Sequence, residues 1–201
     1  MIAAVVLAAG ESRRMGRPKM SLAWGESTVI GCVVTTLYEA GVEQVVVVSG
    51  GAAAEVEAAL RLLPEERRPT IVHNPQFDND DMGLSLQTGL NVLGPAVEAA
   101  LVVLGDQPQR EVEVVKALIS EYFFEKKPLV LPSYQMRRGH PWLVGRSLWG
   151  ELLDLRLPAT LRDFVNLHAG EIDYVPVDTG SILQDLDTPE DYKKARSTDL
   201  Q

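Results

Sequence analysis

The sequence predicts an α/β fold of three layers, in which helices cover both faces of a mostly parallel central sheet. Apolar runs typical of buried strands alternate with helical patterns at least four times in the first 131 residues, and this alternation is characteristic of a parallel sheet. One run, Gln44–Ser49, contains four consecutive valines, as expected of a strand buried on both faces. The length of 201 residues and the hydrophobic content of 46% fit one domain that spans residues 1–201.

The first strand, predicted over Ile2–Leu7, ends in the small residues Ala8, Ala9 and Gly10. Small residues at the end of a strand bring backbone N–H groups close to an anion. Four cations that could supply countercharge follow within seven positions: Arg13, Arg14, Arg17 and Lys19. The segment therefore predicts a triphosphate-binding loop, although it matches neither the Walker A pattern nor the dinucleotide-binding fingerprint.

The chain then continues the alternation of helices and strands as far as residue 131. In order, we predict a helix capped by Ser27 and closed by Gly41, a strand over 44–49, a helix over 52–63, a strand over 70–73, a helix over 85–93, a strand over 99–104, a helix over 112–124 and a strand over 129–131. Residues 74–83 are rich in turn formers and are predicted to be an exposed loop.

The second half of the sequence is less regular. It predicts strands over 142–144, 174–177 and 182–183, helices over 148–155 and 158–167, and a last helix that starts with a cap at Asp187 and Pro189 in its first turn. We expect residues 132–181 to form a small subdomain that covers the ligand crevice.

Gly10 and Asp106 lie just past the ends of two predicted strands. They are expected to share one crevice, because ligands of parallel sheets bind beyond the carboxyl ends of the strands. A carboxylate at that edge can hold Mg²⁺, which prefers oxygen ligands and phosphate partners. The alternative is that Asp106 only stabilises the turn that precedes Gln107-Pro108. Asp185 and Asp187 are candidates for a second carboxylate of the metal site. The alternative is that they cap the last helix.

Charge and composition exclude several classes of partner. The net charge of −9 argues against general nucleic-acid binding, and no apolar run approaches the roughly 20 residues of a membrane span. We find no signal-peptide pattern. The single Cys32 cannot form an internal disulfide, which fits a reducing compartment. These observations predict a soluble, cytoplasmic protein with no nucleic-acid or membrane partner.

Six segments, in order along nearly the whole chain, resemble the nucleotidyltransferases of molybdenum cofactor biosynthesis and chiefly their cytidylyltransferase-like branch. The segments are 7–19 (LAAGESRRMGRPK), 74–75 (NP), 82–86 (MGLSL), 105–108 (GDQP), 138–141 (RGHP) and 185–192 (DLDTPEDY). The resemblance implies a Rossmann-like nucleotidyltransferase A fold with a small acceptor-side subdomain at residues 132–181. It also implies Mg²⁺-dependent transfer of a nucleoside monophosphate, CMP from CTP in this branch, to the phosphate of a molybdopterin-type cofactor with release of pyrophosphate.

The resemblance further implies roles for individual residues. The nucleotide would be bound by Leu7, Ala8, Ala9, Gly10, Ser12, Lys19, Asn74 and Ser85. Arg14 and Lys19 would neutralise the triphosphate, and Asp106 would hold Mg²⁺ with Asp187 or Asp185. Arg138 and His140 would bind the acceptor, with a structural role as the alternative for His140. A molybdoenzyme that receives the product is an implied partner.

Some positions depart from the family pattern or separate its branches. Ala9 and Arg17 stand where guanylyl-transferring relatives tend to carry glycine, which favours the cytidylyl branch. The family often has glycine directly before Met-Gly-x-Ser-Leu, with an aromatic residue upstream, whereas here Asp80-Asp81 precede Met82. Residues 157–164 stand in place of the Gly-Asp-x-Gly-Ala-Arg stretch that the family usually has on the acceptor side. Alternative functions are therefore nucleotidyl transfer to another phosphorylated acceptor, such as a sugar phosphate, and a non-catalytic molybdenum-cofactor chaperone for a molybdoenzyme.

Overall fold

A computed structural model describes residues 1–79, 81–109 and 111–199, and its sheet and helices confirm the predicted fold class. The strands are β1 (Ile2–Ala8), β2 (Ala23–Trp24), β3 (Ser27–Thr28), β4 (Gln44–Ser49), β5 (Thr70–His73), β6 (Ala99–Leu104), β7 (Leu129–Tyr134), β8 (Arg137–Arg138), β9 (Trp142–Gly145) and β10 (Ile172–Pro176). The α-helices are α1 (Val29–Glu39), α2 (Ala53–Arg61), α3 (Met82–Leu90), α4 (Val112–Glu125), α5 (Trp149–Asp154), α6 (Leu161–Leu167) and α7 (Pro189–Asp199).

The main sheet has the strand order β10-β7-β9-β6-β1-β4-β5, and β8 pairs with the end of β7. The central strand β1 lies parallel to both β4 and β6, so that Val5 is opposite Val46 on one side and Val102 on the other. Strand β9 is antiparallel to β6 and β7. The carboxyl ends of β1, β4 and β6 therefore meet at one edge of the sheet, which is where the candidate site lies.

Each face of the sheet has its own hydrophobic core, as a three-layer fold requires. Side chains of α1, α2, α4 and α7 pack on one face. Side chains of α3, α5 and α6 pack on the other. Alternate residues of β1 enter the two cores, so that Val6 belongs to the first and Val5 to the second.

The predicted cap of α1 and the predicted strand over 182–183 are wrong. Thr28, not Ser27, caps α1 by accepting a hydrogen bond from the Gly31 backbone N–H. Both residues belong to the β2–β3 hairpin, and α1 begins directly after Thr28. The predicted strand over 182–183 is part of a 3₁₀ helix, Gly180–Leu183. Local capping by the Thr179 hydroxyl, which accepts from the Ser181 N–H at 3.2 Å, favours the turn over an extended backbone.

Helix α3 begins three residues before its predicted start, because the Asp81 carboxylate caps it by accepting from the Gly83 N–H at 2.8 Å. The preceding segment is only partly the exposed loop that the sequence predicts, since Asn74 is 2% exposed. Asp80 lies outside the described residues.

Residues 132–181 contribute β8, β9 and β10 to the same sheet, and α5 and α6 to one of its faces. A separate subdomain in this range stays a prediction. None of the helices in the described part of the chain combines the length and the apolar character of a membrane span.

His168 is a buried histidine that joins two elements of the second half. Its Nδ1 lies 2.8 Å from a carboxylate oxygen of Glu171, and its Nε2 lies 2.9 Å from one of Glu151. Burial lowers the pKa of the ring, but the hydrogen bonds to the two carboxylates outweigh burial, so the pKa is raised above its usual 6.5. The protonated ring therefore fastens the segment after α6 to α5.

We expect His168→Gln to lower the free energy of unfolding by about 1–3 kcal/mol at pH 6, since it removes hydrogen bonds between charged groups. A raised pKa in the folded state means that this contribution is fully present below about pH 6.5 and is lost as the pH rises through the folded-state value. Urea denaturation between pH 6 and 9 measures the effect, with exposed His73→Gln as the control. A difference from the wild type that grows with pH would contradict the assignment.

Candidate active site

The loop after β1 is fixed by its own backbone and by two buried methionines. The Lys19 N–H donates to Ser12 Oγ at 3.1 Å, and the Gly16 N–H donates to Ser12 O at 3.2 Å. Ser12 and Gly16 have φ angles of 56° and 69°, a left-handed conformation that lets the loop turn back on itself. Met15 and Met20 insert into the core. The charged side chains are thus carried on a defined turn.

The end of β4 packs tightly against this loop. The Gly51 N–H donates to Ala9 O at 3.2 Å. A side chain at Gly50 would collide with Ala9 O and with the Phe77 side chain. The close approach requires glycine and brings Phe77 beside the loop.

Lys19 joins the loop to two acidic residues from distant parts of the chain. Its Nζ contacts Asp106 Oδ2, and it lies 3.5 Å from Asp187 Oδ1. The side chains of Lys19 and Asp106 are 12% and 16% exposed, so the pair is largely withdrawn from solvent. Arg14 reaches the same carboxylate, with 3.0 Å between its Nη2 and Asp187 Oδ1.

Asp185 and Asp187 differ in their contacts. Asp185 Oδ1 accepts a hydrogen bond from Gln107 Nε2 at 2.7 Å. Burial raises the pKa of Asp185, against the Gln107 hydrogen bond, and the nearby carboxylates add to the rise. Asp187 does not cap α7, because the Thr188 hydroxyl accepts from the Asp191 N–H. Asp187 instead directs its carboxylate at Lys19 and Arg14.

One cavity borders this charged centre, and another lies at the carboxyl ends of β1 and β6. The first, of about 370 Å³, is lined by Gly10, Glu11, Ser12, Arg13, Arg14, Lys19, Phe77, Asp78 and Asp187. The second, of about 620 Å³, is lined by Leu7, Asp81, Met82, Gly83, Val102, Leu104, Arg138, His140, Trp142, Leu157, Thr160, Leu161, Arg162, Val165 and Asn166. We call them the loop cavity and the α6 cavity.

Asn74 and Ser85 lie at neither cavity surface. Both are buried, and Asn74 Nδ2 donates to Ser85 Oγ at 3.0 Å. Asn74 Oδ1 accepts from the Gln76 N–H at 2.9 Å. The pair therefore ties the segment that carries Phe77 and Asp78 to α3, and it is those two residues that line the loop cavity.

Arg138 and His140 lie together on the α6 cavity. Arg138 Nη1 donates to Asn166 Oδ1 at 3.0 Å, and its guanidinium lies 5.6 Å from the centre of the Tyr174 ring. The His140 ring stacks on Trp142 at 4.5 Å. Removal of the ring from water lowers the pKa of His140 to about 4. The histidine is therefore neutral at pH 7, and the positive charge at this position comes from Arg138.

The donor chemistry of the charged centre fits one divalent cation held together with a substrate. The described residues contain no cluster of three or more acidic, histidine or cysteine side chains able to hold a metal. Asp106 and Asp187 do both contact one cation, the Lys19 ammonium. Mg²⁺ is commonly held by one or two carboxylates, with water and substrate phosphates completing the shell.

Sequence reasoning missed several residues of these cavities. Phe77 and Asp78 lie in the loop over 74–83, and nothing in its sequence singles them out. Gln107, which lines neither cavity but contacts Asp185, is not singled out by the sequence either. Arg162 and Asn166 are spaced four apart on α6, and that spacing is a signal for one shared helix face. Nothing in the local sequence tells which way that face points.

Comparisons with known proteins identify the relatives of this chain. The family of MobA-like NTP transferase domains matches residues 4–172. The chain is 25% identical over 194 residues to the molybdenum cofactor cytidylyltransferase of Escherichia coli K12, which covers 96% of this chain and 94% of that protein. The crystal structure of Rv0371c from Mycobacterium tuberculosis is 28% identical and superposes with a TM-score of 0.82, covering 98% of both chains. Rv0371c has also been solved in complex with manganese, and that structure gives a TM-score of 0.79 at 28% identity and 98% coverage of both chains.

Proposed function

The chain belongs to the family of MobA-like NTP transferase domains, and from that premise we propose that it transfers CMP from CTP to the phosphate of a molybdopterin-type cofactor, releasing pyrophosphate. The observation that supports this most directly is the pairing of Lys19 with Asp106 and Asp187 beside the loop cavity. That arrangement joins phosphate-binding cations to a pair of carboxylates suited to a divalent ion. The E. coli relative supports the choice of substrates.

The reaction requires positioning and charge neutralisation more than proton transfer. An oxygen of the acceptor phosphate attacks the α-phosphorus of CTP, and the bond from that phosphorus to the bridging oxygen of pyrophosphate breaks. The attacking phosphate oxygen is already a nucleophile. In this proposal Lys19 and Arg14 bind the β- and γ-phosphates and neutralise the departing pyrophosphate. The Ala8–Gly10 backbone holds the nucleotide against the end of β1.

Asp106 and Asp187 would hold the divalent cation, whose chemistry is to neutralise charge on the triphosphate and on the leaving pyrophosphate. The contacts of Asp187 with Lys19 and Arg14 favour it over Asp185 as the second carboxylate. Asp185 would keep Gln107 in position. Both carboxylates bind Lys19 in the free protein, so the ammonium must turn toward the phosphates when the metal and nucleotide enter.

Ala9 is the residue that favours CTP over GTP. A methyl group at this position, where guanylyl-transferring relatives tend to carry glycine, would narrow the base site and so favour the smaller pyrimidine. Ser12 and the Asn74–Ser85 pair act by shaping the loops around the nucleotide. Arg138 and His140 would meet the acceptor in the α6 cavity, from which the product passes to a molybdoenzyme.

We expect CTP with Mg²⁺ to raise the midpoint of thermal unfolding by about 5–10 °C at one hundred times its Kd, because a ligand that binds only the native state stabilises it. GTP, ATP and UTP at the same concentration should give smaller shifts. Arg14→Gln should reduce the shift with CTP, while the exposed control Glu113→Gln leaves it unchanged. A larger shift with GTP than with CTP would contradict the base assignment.

The acceptor is tested by pyrophosphate release. Purified protein with CTP, Mg²⁺ and reduced molybdenum cofactor should release pyrophosphate, and the same mixture with a sugar phosphate in place of the cofactor should not. Pyrophosphate release with the sugar phosphate but not with the cofactor would mean that the acceptor is a sugar phosphate.

A further inference from the structure

Tyr192 joins α7, which begins shortly after Asp187, to the chain that follows the loop after β1. The residue is 7% exposed, and its hydroxyl donates to Ala23 O at 2.5 Å. Its ring lies 6.1 Å from that of Trp24. Because Ala23 and Trp24 form β2, which comes shortly after Lys19, Tyr192 links the part of the chain that carries Asp187 to the part that carries Lys19.

Arg17 reaches the same tyrosine from the loop itself. Its guanidinium carbon lies 6.0 Å from the centre of the Tyr192 ring, at the limit of a cation–π interaction. Arg17 is not among the described residues that line the loop cavity or the α6 cavity. It therefore adds a second contact between the loop and α7, and is directed away from the space that a ligand can enter.

Other hydrogen bonds fix the chain on either side of Asp187. On one side, the Leu186 N–H donates to Asp106 O at 3.1 Å. On the other side, the Thr188 N–H donates to Asp191 Oδ2 at 2.9 Å, and the Asp191 N–H donates to Thr188 Oγ1 at 3.1 Å. These bonds define the start of α7 and its link to the end of β6, but they do not reach the loop after β1.

The link between α7 and the loop matters most when ligands enter. In the free protein the Asp187 carboxylate lies 3.0 Å from Arg14 and 3.5 Å from Lys19. In the proposed function both cations turn to the phosphates, so these two ion pairs weaken when the carboxylate takes up a metal. The contacts of Tyr192 involve neither cation, and they still hold α7 against the chain that follows the loop.

We propose that Tyr192 is a positioning residue, which fixes the distance between Asp187 and the phosphate-binding loop so that one divalent cation can bridge the carboxylate and a triphosphate. Arg17 supports it through the face of the same ring. The inference rests on the proposed function only in placing a metal and a triphosphate at this centre. Tyr192 acts through Asp187 and is not itself a ligand of the metal.

Binding of Mn²⁺ in the presence of inorganic triphosphate tests this without turnover, with free Mn²⁺ measured by electron paramagnetic resonance. Tyr192→Phe should raise the Kd of Mn²⁺ about fivefold, because it removes the hydrogen bond to Ala23, and Tyr192→Leu should raise it further. Arg17→Met should raise it about threefold. The control Tyr38→Phe removes a hydroxyl from the last turn of α1 and should leave the Kd unchanged.

Two further readouts separate positioning from a general loss of structure. Binding of triphosphate without metal should be the same in Tyr192→Phe as in the wild type, since the cations of the loop are retained. Pyrophosphate release by Tyr192→Phe should require about fivefold more Mg²⁺ for its half-maximal rate and reach the wild-type kcat at saturating Mg²⁺. A kcat that stays low at saturating Mg²⁺ would mean that Tyr192 is only structural, and would overturn the inference.

Equal Mn²⁺ affinity in Tyr192→Phe and the wild type would also overturn it, and so would a wild type that does not bind Mn²⁺ with triphosphate at millimolar concentration. The activity assay distinguishes this from a failure of the proposed function. Mn²⁺ binding that depends on Tyr192, without pyrophosphate release from CTP and molybdenum cofactor, leaves the inference standing and rejects the transfer. Release with the same Mg²⁺ dependence in Tyr192→Phe and the wild type leaves the transfer standing and rejects the inference.

Discussion

Asp106→Asn is expected to lower the rate of pyrophosphate release about 10³-fold, the scale of loss found when a charge-stabilising group is removed from phosphoryl transfer. The amide keeps the size of the side chain but removes its negative charge. It can then neither pair with Lys19 nor provide the anionic oxygen that a divalent cation requires. Continuous measurement of pyrophosphate with CTP, Mg²⁺ and molybdenum cofactor gives the rate.

Two further variants make this result specific. Asp187→Asn should cause a loss of similar size, because Asp187 contacts the same ammonium. Asp185→Asn should cause a much smaller loss, since Asp185 contacts Gln107. Equal losses in the Asp185 and Asp187 variants would show that the contacts of the free protein do not identify the second carboxylate. Exposed Glu113→Gln controls for the general effect of losing a charge.

A different substitution at the same position, Asp106→Ala, separates an enzyme from a non-catalytic cofactor chaperone. A chaperone hands over molybdenum cofactor without transferring nucleotide, so delivery to a molybdoenzyme would survive Asp106→Ala. In the proposed function both delivery of the cytidylylated cofactor and pyrophosphate release are lost together. Circular dichroism and thermal unfolding of each variant establish that the loss concerns the site and not the fold.

The strand ends and the charged loop could be predicted from sequence because their signals are local. A buried run that stops at Ala8–Gly10, followed at once by cations, defines the loop without any tertiary information. Asp106 is found in the same way, as the first carboxylate after β6. The fold class follows from the alternation of strands and helices, since each element must bury one face or both.

Which of Asp185 and Asp187 contacts Lys19 could not be predicted from sequence, because it depends on how the chain crosses the end of β6. The Leu186 N–H donates to Asp106 O at 3.1 Å, and this bond holds the segment that carries both carboxylates beside Asp106. The α6 wall was missed for a related reason. The direction of a helix face is set by packing on the sheet, which no local pattern records.

The 3₁₀ helix at Gly180–Leu183 shows a third limit of prediction from sequence. Two apolar residues in a row suggest a strand, but Ile182 is buried by a turn that hydroxyl groups stabilise. Thr179 Oγ1 donates to Glu111 at 3.0 Å, and Ser181 Oγ also contacts Glu111. Glu111 lies 68 residues from Thr179 in sequence, so the partner that decides the local conformation is not visible in the local sequence.

Lys19→Met is expected to lower kcat/KM about 10²-fold or more, because it removes a fixed cation from the developing charge of the pyrophosphate. It should also destabilise the free protein by about 1–3 kcal/mol, since the largely buried Asp106 carboxylate is left without its ammonium partner. Lys19→Arg retains the charge and should recover part of both quantities. Urea denaturation gives the free energy of unfolding, and steady-state kinetics gives kcat/KM.

The double variant Lys19→Met, Asp106→Asn distinguishes a structural ion pair from a catalytic one. The double variant has no unpaired carboxylate at position 106. Its loss in free energy of unfolding should therefore be smaller than the sum of the losses in the two single variants, by about 1 kcal/mol. Activity should remain as low as in the worse single variant, because neither group is restored. Strictly additive stability losses would mean that the contact between Lys19 and Asp106 contributes nothing to folding, and recovery of activity would mean that the pair acts only as a structural link.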